Sequence, residues 1–337
     1  MRGEGSNGVR GVPPLTSSSH LSRELLTSHV THPSLGVGDF HHQPVLLEEI
    51  AALFAGCARV LDGTVGGGGH AARLAAGGAR VLGLDRDPEA VRAARVALGG
   101  AGQVRLGDFA DAPADRDVAE FRPDGILLDL GVSSPQFDDP ARGFSFRPGT
   151  PLDMRMAREE GMSAADWLNE AAEAELSASF HDWADERHAR RLAREIARRR
   201  STRPFQTSDD LVGAIRAVLG PRSGPDDFAR LFQAVRIAVN GEIERLSRAL
   251  PALLEIAAPG GVLAVISYHS GEDRVVKQSM RSWAQACICP PEQPFCTCRA
   301  RSLGSLVTRK AIRPGAAETA ANPRARSARL RAFRKSA

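Results

Sequence analysis

No apolar run in the sequence approaches the roughly 18 residues that cross a bilayer. Its best candidate, Val262 to Ile266, has the length of a buried strand. A membrane-embedded protein is therefore not expected, nor a membrane partner. The first 30 residues hold no continuous apolar segment of the secretory kind. Cysteine is scarce, five residues in 337, which argues against a disulfide framework and for a reducing, cytoplasmic setting. There are no internal repeats, which excludes a solenoid. Nor does one charge sign dominate. Lys+Arg 44 against Asp+Glu 40 leaves +4, too little to name a partner. What remains is an ordinary globular mixture, 42% hydrophobic and 25% charged. The length fits about two domains and a core that needs no staples.

The charge that is present is unevenly placed. Arg187, Arg190, Arg191, Arg194, Arg198, Arg199, Arg200 and Arg203 form one cluster. Arg324, Arg326, Arg329, Arg331, Arg334 and Lys335 form another at the C-terminus, with no acid among them. Arginine gathered on one face attracts phosphate; on clustering alone, a solvated helix face and a ragged basic tail is the favoured reading.

Residues 1–40 are rich in Gly, Ser, Thr, His and Pro without apolar periodicity. They are expected to be a disordered extension. A short helix is expected from Val45 to Phe54. A strand–helix alternation follows, with strands at Arg59–Asp62, Arg80–Asp85, Gln103–Leu106 and Gly125–Leu130 and helices at Ala71–Ala76 and Pro88–Leu98. The strands carry no polar alternation, which predicts parallel strands covered on both faces. From about 140 to 235 the pattern is helical, with spacing near 3.6 around Ala164–Asn169, Ala189–Arg200 and Ser208–Leu219. One long helix is predicted from Phe232 to Ala257. A fifth strand, Val262–Ser267, and a weak pair, Leu303–Thr308 and Arg329–Phe333, complete the chain.

Chemistry concentrates where strands end. Gly66-x-Gly68-x-x-Ala71 joins a strand to a helix, a turn that lets backbone N–H groups approach a ligand. Asp85 closes the next strand, where a carboxylate can accept from ribose hydroxyls. This pair fits a nicotinamide dinucleotide and S-adenosylmethionine alike. Asp129-Leu130-Gly131-Val132-Ser133-Ser134-Pro135-Gln136 follows the fourth strand and, in a doubly wound sheet, faces the same crevice. Asp129 and Gln136 suit a cofactor's polar ends; Ser133 and Ser134 suit an amine. Tyr268 and His269 follow the fifth strand on that edge, Tyr268 with a stacking face and His269 with a titratable ring. Cys287-x-Cys289 and Cys296-x-Cys298 bring four thiols close together. Zinc usually takes wider C-x(2–4)-C pairs, so these are read as reduced thiols and no metal is assigned.

Longer motifs go further. Asp62 to His70, Leu84 to Pro88, Asp124 to Gln136, Arg142-Gly143-Phe144-Ser145-Phe146, Pro151-Leu152-Asp153-Met154-Arg155-Met156, Phe232 to Asn240 and Asn322 to Ser327 together resemble a bacterial family. It is that of ribosomal RNA small subunit methyltransferase H, and the resemblance covers about residues 41 to 335. The chain departs from the family's usual pattern at Val65, Tyr268 and Gly271.

The resemblance implies an α/β fold: a class I methyltransferase, Rossmann-like, doubly wound sheet with an inserted all-helical domain. Residues 41–139 and 236–337 would bind S-adenosyl-L-methionine; residues 140–235 would recognise the substrate. The implied reaction is methylation of N4 on one P-site cytidine of 16S rRNA, within the small ribosomal subunit. Gly68, Gly69, His70, Asp85, Phe109, Asp129 and Gln136 would hold the cofactor. Ser133, Ser134 or the carbonyls beside Pro135 would hold the amine, with Asp153 as a second candidate acceptor. Phe144, Phe146 or Tyr268 would stack on the base, and the arginine clusters, Arg198 to Arg200 among them, would meet phosphates. Two rivals differ in class: an NAD-dependent oxidoreductase, and a non-catalytic RNA-binding ribosome assembly factor. The sequence leaves homodimerisation open.

Overall fold

The structure is a computed structural model that describes residues 44–132, 136, 137, 139–287, 289, 290, 292–298 and 301–337. The N-terminal extension, Ser133, Ser134 and Pro135 lie outside the described residues.

Seven strands make one sheet: β1 (Arg59–Asp62), β2 (Arg80–Asp85), β3 (Gly102–Leu106), β4 (Gly125–Asp129), β5 (Val262–Ser267), β6 (Gly304–Leu306) and β7 (Arg329–Lys335). Their order is β3-β2-β1-β4-β5-β7-β6. The first five run parallel; β7 is antiparallel to both β5 and β6. This is the class I methyltransferase sheet. The order reverses between β1 and β4, so the crevice for a ligand opens beyond their carboxyl ends.

Alternate residues of each central strand enter two different cores. Val60, Val81, Leu127, Val262 and Ala264 face one side, packed by Ile50 of α1 (Leu47–Leu53), Leu74 of α2 (Gly69–Ala76) and Val91 and Leu98 of α3 (Pro88–Leu98). Leu61, Leu82, Ile126, Leu128, Leu263 and Val265 face the other. That face receives Val118 of α4 (Arg116–Phe121) and residues of two helices described below. With both faces apolar, the strands need no polar alternation, which explains the sequence pattern.

A third core belongs to the helical stretch. It gathers Phe144, Leu152, Trp167 of α5 (Ala164–Glu170), Phe180 of α6 (Glu173–Ala184), Ile196 of α7 (Ala189–Arg200), Ile215 of α8 (Ser208–Leu219) and Phe228 of α9 (Pro225–Asn240). Local chemistry sets these helices. Ser163 with Asp166 opens α5, and Thr207 with Asp210 opens α8, each as a reciprocal capping pair.

The single helix predicted over Phe232–Ala257 is in fact two. α9 ends at Asn240 and α10 (Glu242–Ile256) begins at once, with Gly241 at φ 57° between them. A left-handed glycine ends one helix by offering its N–H to the carbonyls of Ile237 and Ala238. Spacing alone is blind to that break, because both segments keep the helical period. The expected boundary at 235/236 falls inside α9. α10 and α11 (Ser270–Ala284) cover the second face of the sheet through Leu246, Leu250, Leu253, Val276 and Met280. The short α12 (Ala316–Ala321) lies between β6 and β7 in the chain.

Candidate active site

The cleft beyond β1 and β4 is built from strand ends. Asp129 N donates to Thr64 Oγ1 at 2.6 Å, tying the two connecting segments together. Asp85, at the end of β2, accepts from Gly66 N and from Asp87 N, each at 2.9 Å. The glycines divide the labour of the turn. Gly68 has φ +85°, and a Cβ there would sit 2.9 Å from Ala94 Cα; it lets α2 pack against α3 and is not part of the cleft wall. Gly66, Gly67 and Gly69 line the cleft. A Cβ on Gly67 would meet no protein atom within 4 Å, so that space is left for a ligand.

The cleft is solvent-open, with an empty volume of about 1080 Å³. Beyond the glycines, His70, Asp85, Phe109, Asp129, Gln136 and Tyr268 line it. The structure thus brings together most of the residues singled out for the cofactor. His70 Nε2 lies 2.9 Å from the Val45 carbonyl and Nδ1 lies 3.7 Å from Asp129 Oδ2. Burial holds the ring below its ordinary pKa, favouring the neutral form. Tyr268 donates its hydroxyl to Asp129 Oδ1 at 2.9 Å. Burial, then the neighbouring Asp129 carboxylate, raises the phenol well above its ordinary pKa, so it stays a donor.

Gln136 reaches the cleft and also donates to Asp87 Oδ2 at 2.9 Å. The buried Arg142 meets the same oxygen at 2.7 Å and donates onward to the carbonyls of Arg155 and Met156. Burial alone would raise Asp87, but Gln136 and Arg142 hold it below its usual value. Asn240 completes the link: its Oδ1 accepts from Met156 N at 2.9 Å and its Nδ2 donates to Met154 O at 2.8 Å. Motifs far apart in sequence therefore form one bonded assembly behind the cleft.

Other placements differ from the sequence expectation. Asp153 is not on the cleft wall. Its carboxylate takes three hydrogen bonds from Arg155, and these hold it below its usual pKa although burial opposes them. Phe146 packs edge-on against Phe228 and Phe232, and Phe144 is buried in the same helical core, so neither is presented to a base. His269 caps α11 and lies 3.2 Å from Glu272 Oε1. Arg198 and Arg199 both grip Glu195, and Arg200 donates to the carbonyls of Leu168 and Ala171 at the end of α5. In the C-terminal cluster, Arg329 and Arg331 bind Asp273, and Lys335 donates to carbonyls at the end of α10. Much of the clustered charge is thus spent inside the fold.

Sequence reasoning missed the depth of the negative charge. Asp62, at the end of β1, is buried behind the glycine turn and pushed up to about 7, by burial first. Asp85 is pushed up to about 6 for the same reason. Glu242 also lines the cleft but is neutralised by a two-pronged pair with Arg236, both contacts at 2.7 Å. Among the described residues, no Arg or Lys leads the influences on Asp62 or Asp85. The signal was a carboxylate closing each of β1, β2 and β4. Buried carboxylates of this kind suit a positively charged ligand and oppose a pyrophosphate, so the donor set fits a sulfonium cofactor.

Comparison with known proteins agrees. Residues 39–336 match the model of the MraW methylase family. Ribosomal RNA small subunit methyltransferase H of Gemmatimonas aurantiaca is 57% identical over 299 residues, covering 87% of this chain and 95% of that protein. Proteins of the same name from Heliobacterium modesticaldum and Symbiobacterium thermophilum are 45% and 44% identical, covering 88% and 87% of this chain and 99% and 96% of their own lengths. The methyl donor of such an enzyme is S-adenosyl-L-methionine, and the oxidoreductase alternative falls away. A cleft at the sheet's reversal point, anionic walls and a match over nearly the whole chain converge, and the chain belongs to the MraW methylase family.

Proposed function

We propose that this methyltransferase modifies N4 of a P-site cytidine in the decoding region of 16S rRNA. The observation that carries the reading is that one cleft has two kinds of wall. The glycine turn, His70, Asp85 and Phe109 form one side; Met156 and Asn240, held by the helical stretch, reach it from the other. The names of the relatives support rRNA as the substrate, and the motif resemblance supports the base and position. On this reading residues 140–235 recognise the substrate.

Bound S-adenosyl-L-methionine supplies a methyl group already activated on a positively charged sulfur. Asp85 keeps lone pairs beyond those its two backbone donors use, and these accept from ribose hydroxyls. Phe109 offers an aromatic face to the adenine. Asp129, fixed by Thr64 and Tyr268, adds negative charge. Gly68 shapes the turn, Gly69 and His70 complete it, and Gln136 joins it to Asp87.

The cytosine amine is a poor nucleophile because its lone pair is delocalised into the ring. Ser133, Ser134 and the carbonyls beside Pro135, on the segment that continues from Asp129, accept the N4 hydrogens and free the lone pair for attack. After transfer the nitrogen loses a proton to water, so no dedicated base is required. Asp153 serves by holding the loop through Arg155 rather than by touching the base. The base must be unstacked to enter, and the ring of Tyr268, on the cleft wall against Gly131, is the surface available to it.

Mass mapping of methylated nucleotides tests this. Small-subunit rRNA from cells with and without the gene, and 30S subunits incubated with purified protein and labelled donor, should differ by one methyl group at one cytidine N4. A methyl on another base, or none, rejects the assignment; the assembly-factor reading requires none.

A further inference from the structure

The segment between α11 and β6 is an excursion with no helix or strand among its described residues. Its base is closed where Leu303 N donates to Trp283 O at 2.8 Å. Out on the excursion lie four cysteines, each exposed or half-buried. Free cysteine is ordinarily among the most buried residue types. Ordering each backbone residue costs on the order of 1–2 kcal/mol, and among the described residues of the excursion no buried apolar side chain offsets that: Phe295, beside Cys296, is itself exposed. Yet the thiols converge. Cys296 Sγ lies 3.4 Å from Cys298 Sγ, 3.6 Å from Cys287 Sγ and 4.0 Å from Cys289 Sγ, and Cys298 Sγ lies 3.9 Å from Cys287 Sγ. One ligand atom from each of the four falls within 4.8 Å of every other.

We propose that Cys287, Cys289, Cys296 and Cys298 form a structural zinc site. The spacing separates a single tetrahedral ion from the other sulfur chemistries. A disulfide needs about 2.05 Å, far below these separations. A tetrahedral zinc with Zn–S near 2.3 Å has sulfur–sulfur edges of about 3.8 Å, which the four distances bracket. An iron–sulfur cluster spreads its thiolates over several irons, wider than this group. The two Cys-x-Cys pairs act as opposed jaws. Gln293, on the segment joining the pairs, braces the second jaw by donating to Thr297 Oγ1 at 2.8 Å. All four ligands come from protein, so the site is closed and has no open position for catalysis. Its role is to cross-link the excursion at the edge of the sheet. The short Cys-x-Cys spacing argued against zinc in the sequence; the fold overrides it by bringing two pairs together.

The proposal is independent of the methyl acceptor, and metal content tests it. The full chain, purified under reducing conditions without added metal, should carry about one zinc per chain. A mercurial titration should release that zinc as four thiols react. Replacing zinc by cobalt should give the strong visible absorption of a tetrahedral thiolate site. The double variant Cys296→Ser, Cys298→Ser should lose the metal, whereas Cys57→Ser should retain it. Four freely alkylated thiols on metal-free protein, iron instead of zinc, or zinc that survives the double variant would each overturn the site. The titration needs only the unaltered chain, so a poorly folding variant does not shelter the idea.

Discussion

Asp62 and Asp85 make the cleft's affinity and the fold's stability respond to pH in opposite senses. Both carboxyls are raised by burial, to about 7 and about 6. A carboxyl whose folded pKa exceeds its unfolded value stabilises the fold fully below the unfolded pKa. That contribution is lost as pH rises through the folded one. The ligand-free protein should therefore lose thermal stability between about pH 4 and pH 7 from these two groups. A cationic donor favours the ionised forms, so its binding should tighten over pH 5 to 8 and release protons. Calorimetry in buffers of different ionisation enthalpy reads that release; no proton release near pH 6 would show that neither acid faces the donor. On the proposed function Asp129 is the direct contact. Asp129→Ala should reduce donor affinity at least about a hundredfold, the cost of removing a charged partner, and unchanged affinity by calorimetry would remove it from the site. Asp85 and Asp129 were legible in the sequence because a carboxylate after an apolar strand has one place to go. The Tyr268–Asp129 bond was not, since no spacing rule relates residues 139 positions apart.

Two adjacent glycines separate packing from binding at the level of the turn. Gly68→Ala forces a side chain into left-handed backbone and against Ala94. It should cost at least about 2 kcal/mol of stability, visible as a lowered Tm. Gly67→Ala should leave Tm nearly unchanged, because its Cβ meets no protein atom, and should weaken donor binding instead. Equal Tm losses would mean that the turn is packed as a unit. The strands and the helices α3, α7 and α8 could be read from the sequence, since period, caps and punctuation agree there. The break at Gly241 could not, because one glycine inside a continuous period looks tolerated until its φ is known. The internal bonds of the arginine clusters were illegible for a related reason. Arg200 satisfies the last carbonyls of α5, and that partner lies about 30 residues away in sequence.

Across the molecule, one basic surface still open to a polyanion is the outer end of α7. Arg187, Arg190, Arg191 and Arg194 are exposed and line an open groove with His181 and His188. Reversing Arg187, Arg190 and Arg191 should weaken rRNA binding and flatten its salt dependence, by about 0.7–0.9 in slope for each phosphate no longer neutralised. Reversing Arg329 and Arg331, which hold Asp273, should lower Tm instead. Identical salt slopes for the α7 variant and the native protein would place the RNA elsewhere.

The buried guanidinium of Arg142 works as a mechanical linkage. One end grips Asp87, two residues beyond Asp85, and the other holds carbonyls in the arm that Asn240 braces. Neither end can shift alone without stranding a desolvated charge. On the proposed function, loading one partner should bias the other, and reciprocity would make the two influences equal in free energy. Arg142→Lys, which cannot reproduce the planar fork, should uncouple them: RNA would cease to alter donor affinity while each ligand still binds by itself.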